Sequence, residues 1–240
     1  MATTPSAFIS ALFNTLRYEG GEADLKGDPG RYTLLGISSA YHPECEVWSY
    51  LAQNEARVQE ELRAILNGVR FGEEPQENGL WERVKKFYYT EFWLQGRLND
   101  IAAVSAAVAA EVFDSAVLKG FGSQKRAGAG VFLQEALNLL NRAGSLYPNI
   151  PVDGAIGPDT LKALRACLLY NDEEIVVELL NHLLAESLIE LMRGREDFEQ
   201  FPGWFSRTVT KRHDAVLRHL DTISDATAAA RASLSGMSGS

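Results

Sequence analysis

The sequence predicts a mainly helical (α+β) domain with one small β-hairpin near its N-terminus. Apolar residues return at helical spacing along most of the 240 residues. Extended pieces are confined to a glycine- and proline-bearing span, residues 22–39. Apolar residues make up 46% and charged residues 23%, enough for a chain of this length to bury an ordinary globular core without staples.

Ser6–Tyr18 reads as the first helix, with Phe8, Ile9, Leu12, Phe13 and Leu16 on one face. Pro5 precedes it, Ser6 is placed to cap it, and Gly20-Gly21 ends it. Arg31–Leu35 is extended and supplies the hairpin. Glu46–Asn67 reads as one helix with Leu51, Val58, Leu62, Ile65 and Leu66 inward and Glu55, Glu60 and Glu61 exposed. Gly68–Gly79 is a loop, and Leu80–Phe92 is a helix rich in aromatics. Ile101–Leu118 is apolar nearly all round and rich in alanine, the pattern of a helix in the middle of a bundle. Lys125–Ala143 is amphipathic, and Tyr147–Pro158 is a turn region. Asp159–Leu169 follows with Pro158 in its first turn, then Asp172–Gly194. Phe201–Trp204 turns into a last helix, Phe205–Leu220. Residues 1–222 read as a single domain and residues 223–240, mostly Ala, Ser, Gly and Thr, as a mobile tail.

The charge balance narrows the function. There are 23 Lys and Arg against 32 Asp and Glu, a net charge of −9. That disfavours duplex nucleic acid and anionic lipid as partners, since both are bound through basic residues. Cys45 and Cys167 are too few for a disulfide framework or a Cys-rich zinc site and read as buried thiols. His42, His182, His213 and His219 are scattered, with no His-Glu-x-x-His spacing, so no metal site is expected. No Gly-x-Ser-x-Gly elbow or phosphate-cradling glycine loop is present. The stretch Ile101–Ala110 is about ten residues where a bilayer span needs about 20. The N-terminus has no basic, apolar and small-residue sequence of a signal peptide. The expectation is synthesis in the cytoplasm with no stable membrane insertion.

Glu19 is the first candidate for chemistry. It follows Leu12 and Leu16 by seven and three residues, at the edge of the apolar face and at the negative end of the helix dipole. Partial burial and the dipole both disfavour a carboxylate and favour a protonated carboxyl able to act as general acid. A solvated glutamate at a helix end is the alternative from position alone.

The surrounding residues resemble one family. Tyr18-Glu19-Gly20-Gly21, Asp28-Pro29-Gly30, and Thr33 with Gly36-Ile37-Ser38 are similar to its Glu-Gly-Gly-Tyr, Asp-Pro-Gly-Gly and Thr-Asn-Tyr-Gly-Ile-Thr. Tyr88-Tyr89 with Phe92-Trp93, Phe113-Asp114-Ser115-Ala116-Val117, Gly120 and Leu133-Gln134 follow in the family's order. Val152-Asp153-Gly154-Ala155-Ile156-Gly157-Pro158-Asp159-Thr160-Leu161 resembles its accompanying predicted peptidoglycan-binding segment, and Phe201 and Gly203-Trp204 with Arg207 its closing motif. The family is the N-acetylmuramidases of glycoside hydrolase family 108, phage endolysins and secretion-associated muramidases. Arg31, Leu34-Leu35, Glu22 and Leu118-Lys119 depart from its pattern.

The resemblance implies a lysozyme-like fold that cuts the β-1,4 bond after N-acetylmuramic acid. About 6–95 would be the region of the catalytic glutamate and 97–215 the helical part with the peptidoglycan-binding segment. Glu19 would be the acid. Glycoside hydrolysis usually needs a second carboxylate or an equivalent. Asp28 and Asp24 are candidates, with Thr33 to position a water, although Asp28-Pro29-Gly30 equally makes a plain turn. Tyr88, Tyr89 and Trp93 are candidates for stacking on sugar, or for the core. Asp114 is either a cleft residue or a structural hydrogen-bond acceptor. Asp153-Gly154 is either a wall contact or a turn feeding a helix. Lys211-Arg212-His213 with Arg207 and Arg218 is a solvated basic face or a contact for anionic wall polymer. No cofactor is needed, and nothing requires more than a monomer. Peptidoglycan strands are the expected partner, reached through a holin or secretion machinery and met in the periplasm or wall. A non-catalytic wall-binding protein and a lytic transglycosylase are the alternatives.

Overall fold

The computed structural model describes residues 5–24, 32–76, 78–193 and 208. Among these residues are nine α-helices, a π-helical segment and a three-stranded antiparallel sheet, the mainly helical architecture with a small N-terminal β element that was expected. The chain divides into two compact units, residues 1–184 and 185–240.

Helix α1, Ser6–Glu19, buries Phe8, Ala11, Leu12, Phe13, Thr15 and Leu16. Its cap differs from expectation: Ser6 is already helical, the capping position is Pro5, and no side chain accepts there. Gly20, at φ 72°, ends the helix as expected, because a side chain is disfavoured in that left-handed region. The hairpin has a third strand. β1 (Glu22–Asp24), β2 (Tyr32–Leu34) and β3 (Ile37–Ser38) pair in sequence order, with Glu22 opposite Leu34 and Thr33 opposite both Ala23 and Ser38.

The stretch read as one helix over Glu46–Asn67 is two, α2 (Glu46–Gln53) and α3 (Glu55–Phe71). Asn54 makes the break. Its amide Nδ2 donates to the Tyr50 carbonyl at 3.0 Å, the local bonding by which asparagine competes with a helix. α3 then runs past the predicted loop start, and Gly72 at φ 75° ends it.

The aromatic helix also divides. α4 (Gly79–Tyr88) is capped by Asn78, whose Oδ1 accepts from Trp81 N at 2.9 Å. A π-helical segment, Tyr89–Leu94, continues it. Tyr88 and Trp93, five residues apart, are both buried. A π-turn, bonded i to i+5, brings that spacing towards one face, where an α-helix would not.

Ile101–Leu118 is also two helices, α5 (Leu98–Ala102) and α6 (Ala106–Lys119). Ser105 is extended between them, and its hydroxyl caps α6 by accepting from Val108 N at 3.0 Å. α6 is the central helix expected, buried continuously from Glu111 to Ala116. α7 (Ala129–Leu140), α8 (Pro158–Cys167) and α9 (Glu173–Arg193) fall inside their predicted spans, apart from Pro158, which opens α8. Cys45 and Cys167 are free thiols; Cys167 is buried and Cys45 half-buried.

No described helix is long and apolar enough to cross a membrane, and no described group of His, Cys, Asp and Glu is arranged to hold a metal ion. Asp28 and Arg31, the closing Phe201–Trp204 and Arg207, the basic stretch around Lys211, the helix Phe205–Leu220 and the tail lie outside the described residues.

Candidate active site

Glu19 is the last residue of α1 and is half-exposed. The helix beneath it is anchored in the core. Leu12 and Leu16 are 0% and 1% exposed. Thr15, one turn before Glu19 on the same face, donates its hydroxyl to Asp114 Oδ1 on α6 at 2.8 Å. Both members of that bond are buried, so Asp114 is an interhelical acceptor and not a cleft residue.

After Glu19, Gly20-Gly21 turns the chain into β1. The Gly21 carbonyl accepts from Leu35 N at 2.7 Å, which ties the β2–β3 turn to the end of α1. That turn has two residues, Leu35 and Gly36, both at positive φ (48° and 78°). The signs are those of the type I′ hairpin, whose twist suits paired strands. Gly36 has a second constraint. A side chain there would begin 2.5 Å from Tyr88 Oη, 2.9 Å from Glu19 Oε2 and 3.0 Å from Glu19 Cγ. Only glycine lets the Glu19 carboxyl, the turn and the tyrosine hydroxyl meet so closely.

Thr33 sits on β2, half-exposed, on the face opposite buried Leu34. It lies three residues before Gly36, on the strand that leads into the turn beside Glu19. Glu22, which departs from the family's pattern, is an exposed carboxylate on β1. It accepts from the Tyr32 hydroxyl at 2.7 Å and from Gln59 Nε2 at 3.2 Å.

The stacking expectation is corrected for Tyr88 and Trp93. They are 1% and 0% exposed, so neither has a ring face for a sugar. The Trp93 ring meets Phe8 and Phe113 edge-on at 5.4 and 5.6 Å, and its Nε1 donates to Asn99 at 2.8 Å. Tyr89 is half-buried and stands edge-on to Phe8 at 5.1 Å. Phe8 lies eleven residues from Glu19, about 16 Å along the helix. The departures Leu34 and Leu35 are wholly buried and therefore do not face a ligand.

The Asp153–Pro158 segment is built as a turn. Gln134 of α7 is 2% exposed and fully engaged with it. Its Oε1 accepts from Asp153 N and Gly154 N, both at 2.8 Å. Its Nε2 donates to Asp153 Oδ1 at 2.8 Å and to the Ala155 carbonyl at 3.0 Å. Hydrogen bonds from Gln134 and from the Ala155 amide hold the Asp153 carboxyl below its ordinary range.

Residues 12–120 match the family described as Glycosyl hydrolase 108, and residues 128–209 match the Predicted Peptidoglycan domain. No similar protein was found among curated proteins. Among solved structures, SagA of Brucella abortus is similar over 88% of this chain and 94% of its own, at 20% identity and a TM-score of 0.49. The first match takes in the motifs around Glu19 and Asp114 and the second the motif around Gln134, so the chain carries a region similar to glycosyl hydrolase 108 followed by one similar to the predicted peptidoglycan domain.

Proposed function

We propose that this muramidase cleaves the β-1,4 bond between N-acetylmuramic acid and N-acetylglucosamine, with Glu19 as the general acid that protonates the leaving oxygen. The observation that carries this reading is the placement of Glu19. It is a half-exposed carboxyl at the end of a helix anchored in the core, against Gly36, which has no side chain to obstruct it. The chemistry asks for a proton donor and a water. Thr33 and Asp28 are the groups we assign to guide that water, Thr33 from the strand that leads into the turn.

The protein acts on the wall after release from the cytoplasm, through a holin or a dedicated secretion system. The peptidoglycan domain over residues 128–209 fits a protein that works there. Burial of Leu34 and Leu35 argues against a lost activity, because those departures repack the hairpin instead of altering a sugar contact.

The test is clearing of purified peptidoglycan by the wild type beside Glu19→Gln, which keeps size and removes the proton donor. Loss of a general acid should lower the rate by about 10²-fold or more. A Glu19→Gln protein that clears at the wild-type rate overturns the assignment. Mass spectrometry of the fragments decides the reaction type: reducing muramic ends support hydrolysis, and anhydro-muramic ends would make the enzyme a lytic transglycosylase.

A further inference from the structure

Tyr88 belongs to the core by its ring and to the Glu19 region by its hydroxyl. The ring meets Phe87, Phe92 and Phe113 at 5.2, 5.8 and 6.2 Å. The hydroxyl donates to the Leu35 carbonyl at 2.7 Å. Leu35 stands at φ 48°, a region that a bulky residue enters only when its surroundings hold it there. Two bonds hold this peptide: Leu35 N to the Gly21 carbonyl on the α1 side, and the Leu35 carbonyl to Tyr88 on the core side. The next residue, Gly36, is the point at which Tyr88 Oη and Glu19 Oε2 converge.

We propose that Tyr88 is a positioning residue for Glu19. Its hydroxyl fixes the left-handed Leu35–Gly36 turn, and that turn is the surface on which the Oε2 side of the Glu19 carboxyl rests. Because Tyr88 is 1% exposed, it touches no sugar and acts through the residues its hydroxyl meets. If the hydroxyl is lost, the Leu35 carbonyl loses its buried donor, the turn relaxes and the carboxyl loses its fixed aim. The proposal rests on Glu19 being the general acid. It differs from a substrate-stacking role for Tyr88, which would appear in KM.

The experiment compares wild type, Tyr88→Phe, Glu19→Gln and the double variant on soluble, uncross-linked glycan strands, with near-ultraviolet circular dichroism to confirm the fold. Tyr88→Phe should lower kcat by about 10- to 100-fold, the cost of misdirecting a catalytic group, with KM within about twofold of wild type. Added to the residual rate of Glu19→Gln, it should cost nothing further, because the two residues act as a unit. Gly36→Ala is the second variant. It keeps the tyrosine but pushes a methyl between its oxygen and Glu19, and it should lower kcat similarly.

A folded Tyr88→Phe protein with wild-type kcat overturns the proposal. So does a raised KM at unchanged kcat, or a full additive loss in the Glu19→Gln background. If Tyr88→Phe does not fold, wild-type kcat in Gly36→Ala overturns it. A Glu19→Gln protein with wild-type activity would instead defeat the acid assignment itself, and the positioning role with it. A dead Glu19→Gln beside a fully active Tyr88→Phe defeats the positioning role alone.

Discussion

Glu60 and Glu61 are neighbours in sequence and opposite in environment. Glu60 is solvated, while Glu61 is 6% exposed, a correction to the expectation that both face water. Glu61 lies three residues after buried Val58 and four before buried Ile65, on the inward stripe of α3. Its carboxylate accepts from Gly79 N and Leu80 N, each at 3.1 Å, at the start of α4. It also accepts from the Tyr50 hydroxyl at 3.0 Å, and Arg57 Nε approaches to 2.9 Å. A negative group is favourable at a helix N-terminus, and here it satisfies amides that helix geometry leaves without partners. Burial, and then donation to Glu61, push the Tyr50 hydroxyl above its ordinary range. Glu61→Ala should destabilise the protein by about 2–4 kcal/mol, since it strands several buried donors at once. Urea denaturation checks this. A loss within about 0.5 kcal/mol, the scale of a surface change, would mean that the carboxylate is not structural. Thr15→Val should cost about 1–3 kcal/mol in the same assay by removing the donor to buried Asp114.

At the scale of elements, α7 and the segment that feeds α8 are joined by one side chain. Gln134 is suited to this because an amide both accepts and donates, and the turn offers two N–H groups on one side and acceptors on the other. Gln134→Leu fills similar space and strands both sets. It should raise hydrogen exchange at the Asp153 and Gly154 amides well before the core opens; unchanged exchange there would refute the clamp. The same turn predicts a pH response. The folded Asp153 carboxyl titrates below its ordinary 3.8, because Gln134 and the Ala155 amide bond to its ionised form. Its stabilising effect is therefore complete above that value and is lost as pH falls through the lower folded value. Glu74 acts in the same direction below its ordinary 4.5. Burial opposes its ionisation, but hydrogen bonds from Lys85 and Trp81 prevail. Thermal unfolding followed from pH 6 downward should show stability holding until about the ordinary carboxyl values of 4.5 and 3.8 and declining below them, and Asp153→Asn should remove part of the decline below 3.8. A parallel decline in the variant would place the acid sensitivity elsewhere.

At the scale of the whole molecule, a reaction carried by a carboxyl group and water predicts indifference to metal removal. Dialysis against EDTA should leave the rate of peptidoglycan clearing unchanged, and loss of activity restored by a divalent cation would point to chemistry outside this reading. The mainly helical class, the order of its parts and the position of Glu19 at the end of α1 were all legible in the sequence. Helical spacing, the glycines after α1 and the run of family motifs are local signals, written in neighbouring residues. What the sequence concealed were features that depend on distant partners. The breaks at Asn54 and Ser105 came from side chains that bond the backbone where apolar periodicity alone suggested continuity. The inward turn of Glu61 was hidden because the amides that attract it begin eighteen residues later. The role of Gly36 was visible as a motif but not as a reason, since Tyr88, fifty-three residues beyond Leu35, supplies the hydroxyl that meets it. By itself the sequence determined the mainly helical class and the run of family motifs with Glu19 among them, because each is specified by local pattern and composition. Only the tertiary structure decided which aromatics are core, which carboxylates are structural and what surface Glu19 rests upon, because burial and hydrogen bonding are properties of residues brought together by folding.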